Sequence, residues 1–331
     1  MANEILITGG CGFIGHHVVD YLLSKTDRTV VSLDRLDYSS TFLRLAELES
    51  YQKHPKRLKN VWHDLRAPLS ESVVASCGSP EVILHLAASS HVDRSIAYPL
   101  DTAMDNVIGT VNLLEYARKL PNLRMVIVFS TDEVFGPAPH GYSHRENDVH
   151  TPSNPYSAGK SSAVQFAQAY LTTYKLPVVI TFTMNAFGER QHQDKFIPKT
   201  MRKVMAGEPM DIHCQLVKGK PTDIGSRVWI YAPNIPDALA LIMDKGAIGE
   251  RYNIIGFDEY NNLEMAEKVA GLLGKPLIPN FLDFHSCRSG HDSRYSLDGW
   301  KLRSMGWKPP YTFEEGLART VEFTLANKQW L

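Results

Sequence analysis

The stretch ILITGGCGFIG, residues 5–15, runs from an apolar segment through closely spaced glycines into an amphipathic one. Gly9, Gly12 and Gly15 fit the spacing GxxGxxG, and Gly10, Gly12 and Gly15 fit GxGxxG. A chain that turns sharply from strand to helix, lays bare backbone against a pyrophosphate and packs the helix close to the sheet has no room for a Cβ at these points. The helix N-terminus then offers N–H groups and a partial positive charge to phosphate. Glycines so spaced also occur in purely structural turns, so the surroundings decide. Here a second apolar run, TVVSLD, ends in Asp34, nineteen residues after Gly15. An acid at that point suits the two ribose hydroxyls of NAD and repels a 2′-phosphate, although Arg35 beside it leaves room for NADP. Asp64, in HDL after the third run, is placed to meet the adenine.

Outward from this turn, short apolar runs alternate with amphipathic segments, the pattern of βαβ units. Strands are expected at 4–8, 29–33, 60–62, 81–86, 124–130, 178–182 and 252–255. Helices are expected at 13–25, 41–52, 101–119, 154–174, 197–207, 234–245, 262–273 and 313–326. Prolines and glycines become frequent after residue 188, and HCQLVKGKPTDIGS (213–226) reads as loop. The fold class is α/β: a doubly wound parallel sheet with a smaller, irregular C-terminal region. The division runs 1–183 for the dinucleotide-binding part and 184–331 for the rest, with some later strands and helices returning to the main sheet.

The 331 residues carry a formal net charge of −1, so there is no basic footprint for nucleic acid. Four widely spaced cysteines (Cys11, Cys77, Cys214 and Cys287) form no metal-ligand pairs and read as reduced thiols. No apolar run approaches the roughly 18 residues of a membrane helix, and MANEILITGG has no basic leader region. A soluble, cytoplasmic protein without a metal is expected.

Two further stretches carry chemistry. NPYSAGK places Tyr156 and Lys160 four apart, on one face of a helix started by Asn-Pro. A nearby ammonium lowers a phenol from about 10 toward the range of a general base. Tyr21 and Lys25 share this spacing, but sit in the first helix, where a packing tyrosine and a solvated lysine are expected. STDEVFG (130–136) follows the apolar run MVIVF directly, ending a buried strand in two hydroxyls and two adjacent carboxylates. Two like charges close together raise one pKa, and burial raises it further. Neighbours in an extended strand point to opposite faces, so the chain must leave strand geometry at Thr131–Asp132 for both acids to serve one site.

GGCGFIG, Asp34, HLAASSHVDRSI (85–96), STDEVFG and YSAGK together resemble the extended short-chain dehydrogenase/reductases. More narrowly they are similar to NAD-dependent nucleotide-sugar 4,6-dehydratases of the dTDP-glucose 4,6-dehydratase type. Later matches are NAFGERQHQDKFIP (185–198), SRVWIY (226–231), RYNIIG (251–256) and RSGHDSRYSLD (288–298), so the likeness covers nearly the whole chain. It implies a nucleoside diphosphate hexose as substrate, NAD as a recycled cofactor and a homodimer formed through 101–119 and 154–174. It also implies the chemistry of each acid. Tyr156 takes the O4 proton as hydride leaves C4 for NAD, with Thr131 orienting the sugar. Glu133 removes the C5 hydrogen, neutral Asp132 protonates the departing C6 hydroxyl, and hydride returns to C6.

By the same resemblance the cofactor meets Gly9, Gly12, Phe13, Ile14 and Gly15 at the turn, and Asp34, Arg35, Asp64, Leu65 and Ala87 at the strand ends. Tyr156 and Lys160 complete that set. The substrate meets Ser90, Asn185, Lys195, Arg227, Arg288 and Arg294. His85 and His91 are expected to be structural, and Asn106 to support the site's backbone. Departures from the family pattern fall at Ser89, Phe182, Asn234 and Cys287 and in the loop from Leu216 to Ser226, and these leave the base and sugar open. The alternatives are a nucleotide-sugar 4-epimerase or decarboxylase of the same fold, which has no use for a neutral Asp132, and a non-catalytic NAD-binding regulator.

Overall fold

The computed structural model describes residues 3–256, 258–284 and 293–331. Six strands form first along the chain: β1 (Glu4–Thr8), β2 (Thr29–Asp34), β3 (Leu58–Trp62), β4 (Val82–His85), β5 (Met125–Thr131) and β6 (Val178–Thr183). The later ones are β7 (Asn185–Phe187), β8 (Met210–Val217), β9 (Lys220–Ile224), β10 (Ser226–Tyr231), β11 (Arg251–Ile254), β12 (Asp258–Asn261), β13 (Pro279–Asp283) and β14 (Arg294–Tyr295). The main sheet has seven strands in the order β11-β6-β5-β4-β1-β2-β3. Every pairing in it is parallel. The order reverses between β1 and β4, and the crevice at such a switch point is where ligands sit in open α/β sheets.

Alternate side chains of the central strands feed two layers, as the pleat requires. Ile5, Ile7, Ile127 and Phe129 pack with Val18, Val19, Leu22 and Leu23 of the helix Phe13–Lys25, and with Leu239 and Ile242 of the helix Ile235–Lys245. Leu6, Val126 and Val128 face the other way, onto Leu113 and Leu114 of Gly109–Ala117 and Val164 and Ala167 of Pro155–Tyr174. Burying both faces explains why β5 is apolar without alternation.

The C-terminal part is more regular than the sequence suggests. β7, β10, β12 and β14 form one small sheet, and β8, β9 and β13 another. Residues 213–226, expected as loop, are the end of β8, all of β9 and the start of β10. The hairpin turn is Lys218-Gly219, both with positive φ (50° and 74°), the geometry that matches the twist of a two-residue hairpin. Lysine and glycine there read as a breaker, while the alternation of buried Met210, Ile212 and Cys214 carried the strand signal. β11 returns to the main sheet beside β6. The segment 101–119 is interrupted: a π turn, Met104–Ile108, links the helices Pro99–Ala103 and Gly109–Ala117.

Among the described residues no helix is long and apolar enough to cross a membrane. Cys11, Cys77 and Cys214 are buried free thiols.

Candidate active site

A cleft of about 330 Å³ opens along the carboxyl ends of β1, β2, β4 and β5 and extends to β7 and β10. At its cofactor end the glycine turn is a steric necessity. Gly9 has φ +76°, and a Cβ there would stand 2.8 Å from the Ala87 nitrogen. A Cβ on Gly15 would stand 2.0 Å from the Gly9 carbonyl oxygen. Gly12 caps the helix Phe13–Lys25 without a side chain, and Phe13 and Ile14 line the cleft at that N-terminus. This leaves the helix end open to a phosphate.

Asp34 is buried, and its carboxylate accepts from the N–H groups of Cys11 (3.0 Å) and Leu36 (2.9 Å) and from the Ser40 hydroxyl (2.9 Å). A carboxylate offers about four lone-pair sites, so one remains for a ribose hydroxyl. Arg35 is engaged by the carboxylates of Asp37 and Asp105. Asp64, Leu65 and Ala87 line the same end. The residues present therefore fit NAD.

At the catalytic end, β5 stops at Thr131 and a single 3-10 turn, Asp132–Phe135, begins with Asp132. The departure from strand geometry falls where two neighbouring acids require it, and both line the cleft. Gly136, φ +76°, closes the turn. Asp132 is buried, and its Oδ1 accepts from the Thr131 hydroxyl at 3.0 Å. Its Oδ2 is buried and has no hydrogen-bond partner among the described residues. Burial, then the Glu133 carboxylate, raise the Asp132 carboxyl to about 7. Glu133 is less buried and lies 3.5 Å from the Asn154 amide nitrogen.

Tyr156 and Lys160 both face the cleft from the helix Pro155–Tyr174. Its start is built as Asn-Pro predicts. Asn154 and Ser157 form a reciprocal capping box, and Pro155 needs no hydrogen-bond acceptor in the first turn. The Tyr156 N–H, still unpaired in that turn, donates to the buried Ser95 hydroxyl at 3.1 Å. The expected effect of Lys160 on the phenol needs correction. The Lys160 ammonium donates to the Phe129 carbonyl, and burial lowers it to about 8. Burial and then Glu133 hold the Tyr156 phenol above its ordinary value. The reason is that both groups are desolvated, and the charges that act on the phenol are the carboxylates of Glu133 and Asp132. Tyr21, the same spacing elsewhere, packs against the core of the first layer, away from the cleft.

Of the expected substrate residues, Ser90, Asn185 and Lys195 line the cleft, and the Lys195 ammonium donates to the Ser90 carbonyl at 3.1 Å. Arg294 does not. Its guanidinium pairs with Glu259 (2.7 and 2.8 Å) and donates to the carbonyls of Pro139 and Tyr142, so it ties the small sheet to the segment that follows the turn Asp132–Phe135. Arg227 is buried over the Tyr295 ring and donates to the Ser226 and Ser293 carbonyls, outside the cleft lining. Arg288 and Cys287 lie outside the described residues. Phe182 is buried against Phe135 and His150 and does not line the cleft. Ser89 does line the cleft.

Asn106 supports the backbone as expected: it accepts from the Ser89 N–H (2.7 Å) and donates to the Ser89 carbonyl (3.0 Å). His85 is structural, bonded to the hydroxyls of Thr8 and Thr110. The sequence gives no sign of Ser95, or of Arg44, a buried arginine that donates to the carbonyls of Cys11, Ser39 and Arg190. Trp229, also in the cleft, stands in SRVWIY, whose last four residues are all apolar and buried, so period alone does not assign it to a face.

Comparison with known proteins agrees with this geometry. A profile of the GDP-mannose 4,6 dehydratase family matches residues 6–320. A dTDP-glucose 4,6-dehydratase of Salmonella typhimurium is 36% identical, over 99% of this chain and 94% of the relative. The low-salt glycan biosynthesis protein Agl12 of Haloferax volcanii is 38% identical, over 98% of this chain and all (100%) of the relative. The crystal structure of DesIV, a dTDP-glucose 4,6-dehydratase from Streptomyces venezuelae with NAD bound, superposes with a TM-score of 0.88 at 34% identity, covering 99% of this chain and 98% of that one. With a turn that fits NAD, a tyrosine and lysine facing it and two adjacent acids at the end of β5, the chain belongs to the GDP-mannose 4,6 dehydratase family.

Proposed function

We propose that this chain is an NAD-dependent 4,6-dehydratase that converts a nucleoside diphosphate hexose to its 4-keto-6-deoxy product, with dTDP as the nucleotide. Tyr156 takes the proton from O4 of the hexose, and Thr131 orients that hydroxyl. NAD, held by the glycine turn at 9–15 and Asp34, would supply the hydride acceptor for C4 and the hydride donor for C6. The 4-ketone acidifies the C5 hydrogen, which Glu133 removes. Asp132 gives its proton to the C6 hydroxyl, which leaves as water, and Glu133 returns a proton to C5. Oxidation and reduction cancel, so the net reaction is loss of water.

The observation that carries this reading is the Asp132 carboxyl: on a residue that lines the cleft beside Glu133, buried, raised to about 7, and with Oδ2 unpartnered among the described residues. An epimerase or decarboxylase needs the tyrosine and the cofactor but no neutral acid at that point. Ser90, Asn185 and Lys195 are proposed to hold the nucleotide sugar. The relatives' names support dTDP, and the active chain is proposed to be a cytoplasmic homodimer.

The test is incubation of the purified protein with dTDP-, UDP-, CDP- and GDP-hexoses, read by mass spectrometry. A product lighter by one water, formed fastest from a dTDP-hexose, is expected. Unchanged mass with inversion at C4 overturns the dehydratase reading, and dehydration of another nucleotide overturns only dTDP.

A further inference from the structure

Arg35 directly follows Asp34 at the end of β2, where an arginine can receive the 2′-phosphate of NADP. In this chain each nitrogen of its guanidinium is already turned to a carboxylate. Nε lies 3.2 Å from Asp37 Oδ2, and Nη2 lies 2.8 Å from the same oxygen and 2.9 Å from Asp105 Oδ2. Nη1 donates to Asp105 Oδ1, with Asp64 Oδ1 3.6 Å away. The Asp105 pair is a fork-on-fork contact, the arrangement that holds an arginine best.

Asp105 comes from far along the chain, on the π turn Met104–Ile108. Its neighbour Asn106 clamps both backbone groups of Ser89 at the floor of the cleft. One irregular turn thus aims adjacent side chains at two walls of the cofactor site, and π turns favour such places. Asp34, Arg35, Asp37, Asp64, Arg66 and Asp105 all border the cleft. Four carboxylates there outnumber two guanidinium groups.

We propose that Asp105 is a specificity-determining residue that makes this chain select NAD over NADP. It does so by holding the Arg35 fork away from the ribose 2′ position. Arg35 is therefore present but disarmed, and Asp34 alone does not carry the selection. This inference rests on the NAD site described above.

The test equilibrates the purified full-length protein with mixtures of NAD and NADP and quantifies the retained dinucleotides by chromatography, without turnover. The wild-type protein is expected to retain NAD. In Asp105→Asn the preference for NAD should fall by about 10-fold or more, the scale of one charge-assisted hydrogen bond to phosphate. That gain should vanish in the double variant Asp105→Asn, Arg35→Met, while Arg35→Met alone leaves the preference unchanged. Asp37→Asn, which loosens the same fork from its other side, should shift the preference in the same direction by less. An unchanged preference in both Asp105→Asn and Asp37→Asn, or a gain that survives removal of Arg35, overturns the role of Asp105. Retention of neither dinucleotide by the wild-type protein overturns the cofactor site as well.

Discussion

At the scale of single residues, Asp132 sets stability against activity. Its carboxyl is raised from 3.8 to about 7, mainly by burial. The folded state therefore binds more protons than the unfolded state between those values, and stability falls as pH rises through that window. Asp132→Asn removes the titration, so its melting temperature should rise relative to wild type as pH goes from 4 to 8. The gain should be on the order of a few kcal/mol at the alkaline end and absent at the acid end. The same variant cannot donate a proton to a leaving hydroxyl, and its kcat should fall by about 10²–10⁴. In the wild-type enzyme activity should decline above pH 7 as Asp132 ionises. A thermal melt and a pH–rate profile on one pair of proteins check both halves; a melting difference independent of pH would refute the assigned burial effect.

At the scale of elements, the helix Pro155–Tyr174 aims the reactive tyrosine through its first turn. Asn154 accepts from the Ser157 N–H at 2.9 Å, and its amide nitrogen approaches Glu133. Asn154→Ala removes both contacts and should cost about 1 kcal/mol, the usual worth of an N-cap. Asn154→Asp keeps the cap acceptor but puts a negative charge against Glu133. It should melt near wild type and yet lose activity, because a second carboxylate discourages Glu133 from ionising. Calorimetry with turnover on the two variants separates the roles, and equal losses of activity and stability in both would show that the cap alone matters. This element was legible in the sequence because capping boxes and N1 prolines act over a few residues. The hairpin β8–β9 was not, because Lys218-Gly219 reads as a break until the two strands are seen to pair across it.

At the scale of the whole molecule, the helices at 99–117 and Pro155–Tyr174 carry apolar side chains on the protein surface: Leu100 (80% exposed), Met104, Ile108 and Phe166. A row of this kind suits a second copy of the chain, since isolated surface apolar groups need no partner but grouped ones signal contact. Sedimentation should show a dimer, and Leu100→Glu should shift it toward monomer at equal concentration; a monomeric wild-type protein would refute the proposed assembly. The sequence by itself determined the doubly wound sheet and the glycine turn, and through its family resemblance pointed to Asp34 and to Asp132, Glu133, Tyr156 and Lys160. Those features depend on periodicity and on spacings within one turn or one strand end, which are written locally. Only the tertiary structure decided which arginines are available. Arg294 is occupied by Glu259, Arg35 by Asp105 seventy positions away, and the Tyr156 N–H by Ser95. Such pairings follow from which loops the sheet order brings together, and no local pattern encodes a partner that the chain meets only after it has folded.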